Sequence, residues 1–150
     1  MVKSQRRKTS LSAKTTKPKK IAAKRKPRTV KSSQSAQLTK LIIEGIQEKK
    51  GQEIITLNLK KLKNSIADYF VICHADSKTQ VDAIADSVED FVYKKTKEKV
   101  WHKEGKQNAE WILLDYIDVV VHIFQKEQRV YYGLERLWGD AEMKKVIGKM

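Results

Sequence analysis

The chain has 150 residues, enough for one domain, and its formal net charge of +14 is not spread evenly along it. Residues 1–36 hold 13 Lys and Arg without a single Asp or Glu, whereas the remainder holds 19 basic and 18 acidic residues. No run approaches the apolar length of a secretory signal or a membrane span, and Cys73 is the single cysteine; the composition therefore points away from secretion, membrane insertion, an intrachain disulfide and a thiolate metal cage, toward a soluble intracellular protein.

In residues 1–36 Lys, Arg, Ser and Thr dominate, aromatics are absent, and Pro18 and Pro27 interrupt the chain. Too little apolar surface exists there to offset the entropy of ordering, so this segment is expected to be disordered, with a folded domain over 37–150. An acid-free, Ser-rich N-terminus also resembles an organelle transit peptide, although Lys outnumbers Arg and no amphipathic stripe is visible.

From Leu38 to Lys50, Leu38, Leu41, Ile42, Gly45 and Ile46 recur at helical spacing, and Gly51 is the expected stop. The β-branched stretch "EIITLNL" at 53–59 reads as a strand. "DYFVICHA" at 68–75 is apolar on both alternating faces, which suits a central strand covered on two sides, with Cys73 a small core residue. Ser77 and Gln80 then match a capping box, and Val81, Ile84, Ala85, Val88 and Val92 line one face of a helix running to about Lys95. "VWHKEG" at 100–105 is a short strand, and "EWILLDY" at 110–116 with "DVVVHIF" at 118–124 forms a hairpin. Finally Tyr131, Leu134 and Trp138, with Leu137 beside them, predict one helix that ends at Gly139. Helix crossovers and a hairpin together imply an α/β fold, a mixed sheet of about five strands flanked by helices.

The segment "DYIDVVVHIF" at 115–124 places two carboxylates and a histidine in and beside a strand. Asp118 and His122 share a face but lie roughly 13 Å apart at strand rise, too far for a dyad. Asp115 and Asp118 flank the turn, where carboxylates ordinarily serve the backbone. Their spacing does not match the two-apart carboxylates, preceded by a Gly-Ser loop, with which nucleotidyl transferases hold magnesium. His74, His102 and His122 show no ligand spacing, and the six glycines form no phosphate loop. No catalytic residue, metal or cofactor is predicted, and an enzyme is not expected.

Three stretches, "DYFVICHADSKTQVDAIADSVEDFV", "WHKEGKQNAEWILLDYIDVVVHIF" and "YYGLERLWGDAE", closely resemble, in order, the Iojap or RsfS family of ribosomal silencing factors. The resemblance spans about residues 38–142 and leaves the basic segment uncovered. It implies a nucleotidyltransferase-like α/β fold without transferase activity. It also implies binding to the large ribosomal subunit at large-subunit protein number fourteen, which blocks subunit joining and represses translation. The expected compartment is the bacterial cytoplasm, with mitochondrion or chloroplast as the alternative offered by organelle relatives. Carried over by position, the family's motif residues include Asp68, Tyr69 and Phe70, the cap Ser77 and Gln80, Gly105, and Tyr131, Leu134, Glu135, Leu137 and Trp138. Ala109 and Ile117 stand where members commonly have glycine, and Ile117 at a hairpin tip suggests a turn that does not need positive φ.

The hairpin is the expected docking surface, with Trp111 and Tyr116 as aromatic anchors and Glu104, Glu110, Asp115, Asp118 and His122 around them. The competing reading makes Trp111 a core residue. Tyr131, Leu134, Leu137 and Trp138 are expected in the core, or as a self-association face supporting a homodimer. Lys19, Lys20, Lys24, Arg25, Lys26 and Arg28 are the expected contacts to ribosomal RNA. An alternative function rests on that segment alone: a nonspecific RNA-binding or ribosome-assembly protein acting through its basic tail.

Overall fold

Helix α1 (Arg28–Glu48) leads into β1 (Gln52–Asn58) and β2 (Tyr69–Ala75), then α2 (Lys78–Thr96). There follow β3 (His102–Glu104), β4 (Trp111–Asp115), β5 (Val119–Gln125), the short helices α3 (Lys126–Tyr132) and α4 (Leu134–Leu137), and β6 (Glu142–Lys145). This computed structural model describes residues 28–63 and 65–147, and the chain from residue 32 onward belongs to one compact unit. Among the described residues no helix is long and apolar enough to cross a membrane.

The sheet has six strands in the order β3-β4-β5-β2-β1-β6. β2 and β5 pair in parallel at its centre, and every other neighbouring pair is antiparallel, so the sheet is mixed as expected. These two central strands are nearly continuous apolar runs because both of their faces are covered. On one face Leu38, Ile42 and Ile46 of α1 and Val81, Ile84, Val88 and Val92 of α2 pack against Val71, Cys73, Val121 and Ile123. On the other, Phe70, Ile72, Val120 and Phe124 meet Ile55, Leu57, Leu59 and Leu134, with Trp111, Leu113 and Trp138 partly buried at the margin.

α1 starts ten residues before the predicted Leu38, so residues 28–36, assigned from the sequence to the basic tail, are helical. Ser35 is buried on this helix, and its hydroxyl donates to Asp68 Oδ2 at 3.0 Å, which ties α1 to the start of β2. The expected disorder of residues 1–27 lies outside the described residues, as do Lys19, Lys20, Lys24, Arg25 and Lys26; of Arg28 only the helical backbone is described.

Three local expectations change. At the end of α1 the left-handed residue is Lys50 (φ 60), not Gly51; Lys50 N–H bonds the Gln47 carbonyl and Gly51 N–H the Ile46 carbonyl, both at 3.0 Å rounded. Gly51 is needed for space, since a Cβ there would sit 2.3 Å from Ile46 Cγ2. Only half of the capping box forms: Ser77 Oγ accepts from Gln80 N–H, while the Gln80 amide reaches across to the Lys49 and Lys50 carbonyls. The single C-terminal helix is in fact two, because Gly133 takes a left-handed φ of 56 and breaks the spacing. Leu134 is buried, but Tyr131 and Leu137 are each 76% exposed, which corrects their assignment to the core. β6, "EMKK", has no apolar alternation to announce it and exists by pairing with the open edge of β1.

Candidate functional site

Because side chains alternate along a strand, Trp111, Leu113 and Asp115 of β4 face away from α1 and α2, and Ile112 and Leu114 face toward them. The outward row meets Val120, His122 and Phe124 of β5, and Phe70 and Ile72 of β2. α3 and α4 cover only part of this face. Trp111 stays half-buried at the edge, stacked on Phe124 with ring centroids 4.9 Å apart and touching Tyr132 at 4.7 Å. Tyr132 in turn meets Tyr131, with ring centroids 5.1 Å apart, giving an exposed aromatic strip that the single-helix reading had hidden, and Val130 and Leu137 of the same two helices are also exposed. The adjacent tyrosines followed by Gly133 were its only signal in the sequence.

His122 lies beneath this strip and is 4% exposed. Its Nδ1 accepts from the Trp111 indole N–H at 3.1 Å, Phe70 packs edge-on against its ring at 4.6 Å, and its Nε2 has no hydrogen-bond partner. Burial lowers its pKa to about 3, so the ring is neutral, with its proton on Nε2. Neither ring nitrogen meets a carboxylate, and the site has no acid–base pair of the kind that Asp118 and His122 would have formed.

The acidic residues divide between the surface and the hairpin turn. Glu104 is exposed and bonds His102 at 2.7 Å, and Glu110 pairs with Lys78 at 3.7 Å. Asp115 Oδ1 accepts from Ile117 N–H at 2.7 Å, and Asp118 N–H closes a three-residue turn on the Tyr116 carbonyl at 2.9 Å. At the centre of that turn Ile117 has φ 76, and Ala109 has φ 55, so the hairpin tip does use positive φ, contrary to the reading from Ile117. Asp118 is buried, and its carbonyl accepts from the amides of Asp68 and Tyr69, which pins the hairpin to the start of β2. Among the described residues no three His, Cys, Asp or Glu side chains converge in a group that could hold a metal ion.

Tyr116 is corrected. Five residues from Trp111, it falls on the opposite face of the hairpin, 6% exposed in the core beneath α1 and α2. Burial, with Glu89 and Glu98 adding to it, pushes its phenol above the usual value. Arg129 is the residue the sequence did not announce. It is buried on α3, donates to the Glu53 carbonyl at 2.7 Å and to His74 Nδ1 at 2.9 Å, and binds Glu135 through Nε at 2.9 Å and Nη2 at 2.8 Å. The Glu53 carbonyl is turned toward it by a register shift in β1, where Glu53 has φ 48. This clamp holds α3 and α4 on the sheet beside Trp111.

The model of the family described as "Ribosomal silencing factor during starvation", RsfS, matches residues 32–149. The chain belongs to the RsfS family. Similar RsfS-family proteins include the ribosomal silencing factor of Halalkalibacterium halodurans, 42% identical over 105 residues that cover 70% of this chain and 88% of that one. The chloroplastic Iojap protein of Zea mays is 44% identical over 73 residues, 49% of this chain and 31% of that one. A crystal structure from Chromobacterium violaceum is 35% identical, with a TM-score of 0.66 over 75% of this chain and 92% of its own. The RsfS match starts within α1, upstream of the expected domain start at residue 37.

Proposed function

We propose that this chain silences ribosomes by docking on the large subunit at large-subunit protein number fourteen, so that the small subunit cannot join and translation falls. The observation that carries this reading is the half-buried Trp111, backed by Phe124 and His122 and continuous through Tyr132 with exposed Tyr131. An aromatic held on a rigid strand at the edge of an apolar strip makes a binding anchor at low entropic cost. Glu110, Asp115 and Glu104 supply acidic groups along the same hairpin and its neighbouring strand, which suits a basic ribosomal protein. His122 and Asp118 act from beneath, the first on the indole and the second on the hairpin backbone.

No catalysis is part of this reading, in which the His122 imidazole is engaged by the Trp111 indole and the Asp115 carboxylate by the Ile117 amide. The basic segment acts as an electrostatic tether to ribosomal RNA, contributing affinity without choosing the site. Exposed Val130, Tyr131 and Leu137 would also serve a homodimer. The compartment is the bacterial cytoplasm, or an organelle in the manner of the Iojap relatives. Sucrose-gradient analysis of purified subunits tests the proposal: added protein should move with the large subunit and reduce joined ribosomes. Undiminished joining at saturating protein overturns it.

A further inference from the structure

Outside the docking face, one surface combines unopposed charge with exposed rings. Tyr93 to Lys103 reads "YKKTKEKVWHK", five lysines against the single acid Glu98, whereas the rest of residues 37–150 holds 14 basic and 17 acidic residues. It forms the C-terminal end of α2, the turn beyond it and the start of β3, and α2 packs on the sheet face opposite Trp111. Residues 93–99 are all exposed, and α2 ends where Lys97 takes a left-handed φ of 66. Val100 turns into the core, so Lys99 and Trp101 on either side of it point outward. Trp101 is 46% exposed and Tyr93 42% exposed.

The charges divide in a useful way. Lys94 pairs with Asp90 and Lys103 with Glu89, which occupies the neighbouring acids. Among the described residues Lys95, Lys97 and Lys99 have no carboxylate partner, and they lie over rings instead. Lys95 sits 5.7 Å from the Phe91 centroid, and Lys97 and Lys99 sit 5.3 and 6.0 Å from that of Tyr93. An exposed cation–π contact is weaker than a base stacked on an aromatic ring, so an incoming base displaces one ammonium from Tyr93 and leaves it beside the adjoining phosphate.

We propose that Tyr93–Lys103 is a binding site for single-stranded RNA, with Lys95, Lys97 and Lys99 on phosphates and Tyr93 and Trp101 stacking unpaired bases. Charge alone would fit a duplex or an anionic membrane equally well. The two exposed rings among these lysines, Tyr93 and Trp101, decide for unpaired bases, and the abundant unpaired polynucleotide of a cell is RNA. The site does not depend on the large-subunit reading, and its test contains no ribosome.

The test uses the full chain with a twelve-nucleotide oligouridine, the same length of duplex DNA, and phosphatidylserine vesicles. Trp101→Ala should weaken oligouridine binding about tenfold and leave duplex binding unchanged. Replacing Lys95, Lys97 and Lys99 together by Gln should flatten the slope of log affinity against log salt by about 2, at about 0.7 per single-strand contact. With 4-thiouridine in the oligomer, photocrosslinks should map to Tyr93 or Trp101 and be lost in the triple variant, which keeps both rings and the fold. Crosslinks confined to residues 1–36 would overturn the proposal. Equal losses on oligouridine and duplex would reduce it to charge alone, and patch-dependent binding to vesicles without crosslinking to RNA would assign the surface to membranes.

Discussion

The Trp111 indole N–H reaches diagonally across the β4–β5 ladder to Nδ1 of His122, 3.1 Å away, although the direct cross-strand partner of His122 is Leu113. The orientation of the half-buried anchor is thus set by a buried, neutral imidazole. The bond exists only while Nδ1 carries no proton.

The pH dependence of stability follows from that bond. An unfolded histidine titrates near 6.5, whereas His122 in the fold is lowered to about 3 by burial. Between these values the unfolded state binds the extra proton, so stability falls as pH drops from about 6.5 and is unaffected above it. His74, lowered by burial and by Arg129, acts in the same direction. His122→Gln, which keeps an acceptor for the indole, should therefore shrink the acid limb of melting temperature against pH without abolishing it. Superimposable acid limbs for the two proteins would sink this account.

Trp111 and Tyr116 should separate binding from folding. Trp111→Ala is expected to weaken large-subunit binding by about 2 kcal/mol, as for an interface anchor. Tyr116→Ala should cost about 3 to 5 kcal/mol of stability, because it empties a core site beneath α1 and α2. Urea unfolding and subunit pelleting of both variants check the pair. A Trp111→Ala protein that binds normally would remove the hairpin edge from the docking surface.

Ile117 pays a conformational cost at φ 76, since a β-branched side chain crowds its own backbone in that region. Ile117→Gly should stabilise the protein by about 1 kcal/mol, the relief exceeding the added freedom of the unfolded chain. The denaturation midpoint should rise at unchanged slope. A fall would mean that the half-buried isoleucine contributes more by packing than it loses in the turn.

Arg129→Met should cost roughly 3 kcal/mol, because the Glu53 carbonyl and His74 lose their donor and Glu135 its cation. Hydrogen exchange should quicken first in α3 and α4, with Trp111 binding impaired secondarily. Exchange that quickens uniformly through the sheet would deny the clamp its local role.

Deleting residues 1–27 should flatten the salt dependence of large-subunit binding by roughly 3 to 5 in log–log slope if four to six of its cations engage at once. The footprint on the subunit should stay in place. A footprint that moves would transfer site selection from the hairpin to the basic segment.

Strand and helix periodicity sufficed for the order of the main elements, the two-faced burial of β2, and the α2 stripe, because each is written in the local pattern of apolar and polar residues. The motif order sufficed for the family. Local alternation also places Trp111 and Tyr116 on opposite faces of the hairpin, but which face is roofed by helices depends on how distant segments pack, and that made Trp111 an edge residue and Tyr116 a core one. Gly133 had the sequence of a tolerable helix interior; its left-handed turn, supported by Arg129 and Glu135, split the helix and exposed Tyr131 and Leu137. β6 needed the unpaired edge of β1, and the Ile117 turn needed Asp115 and the anchoring of Asp118 to β2. The local bonds at these turns are held in place by partners far apart in the chain, β6 by β1, Asp118 by Asp68 and Tyr69, and Arg129 by Glu53 and His74, and only the folded arrangement brings such partners together.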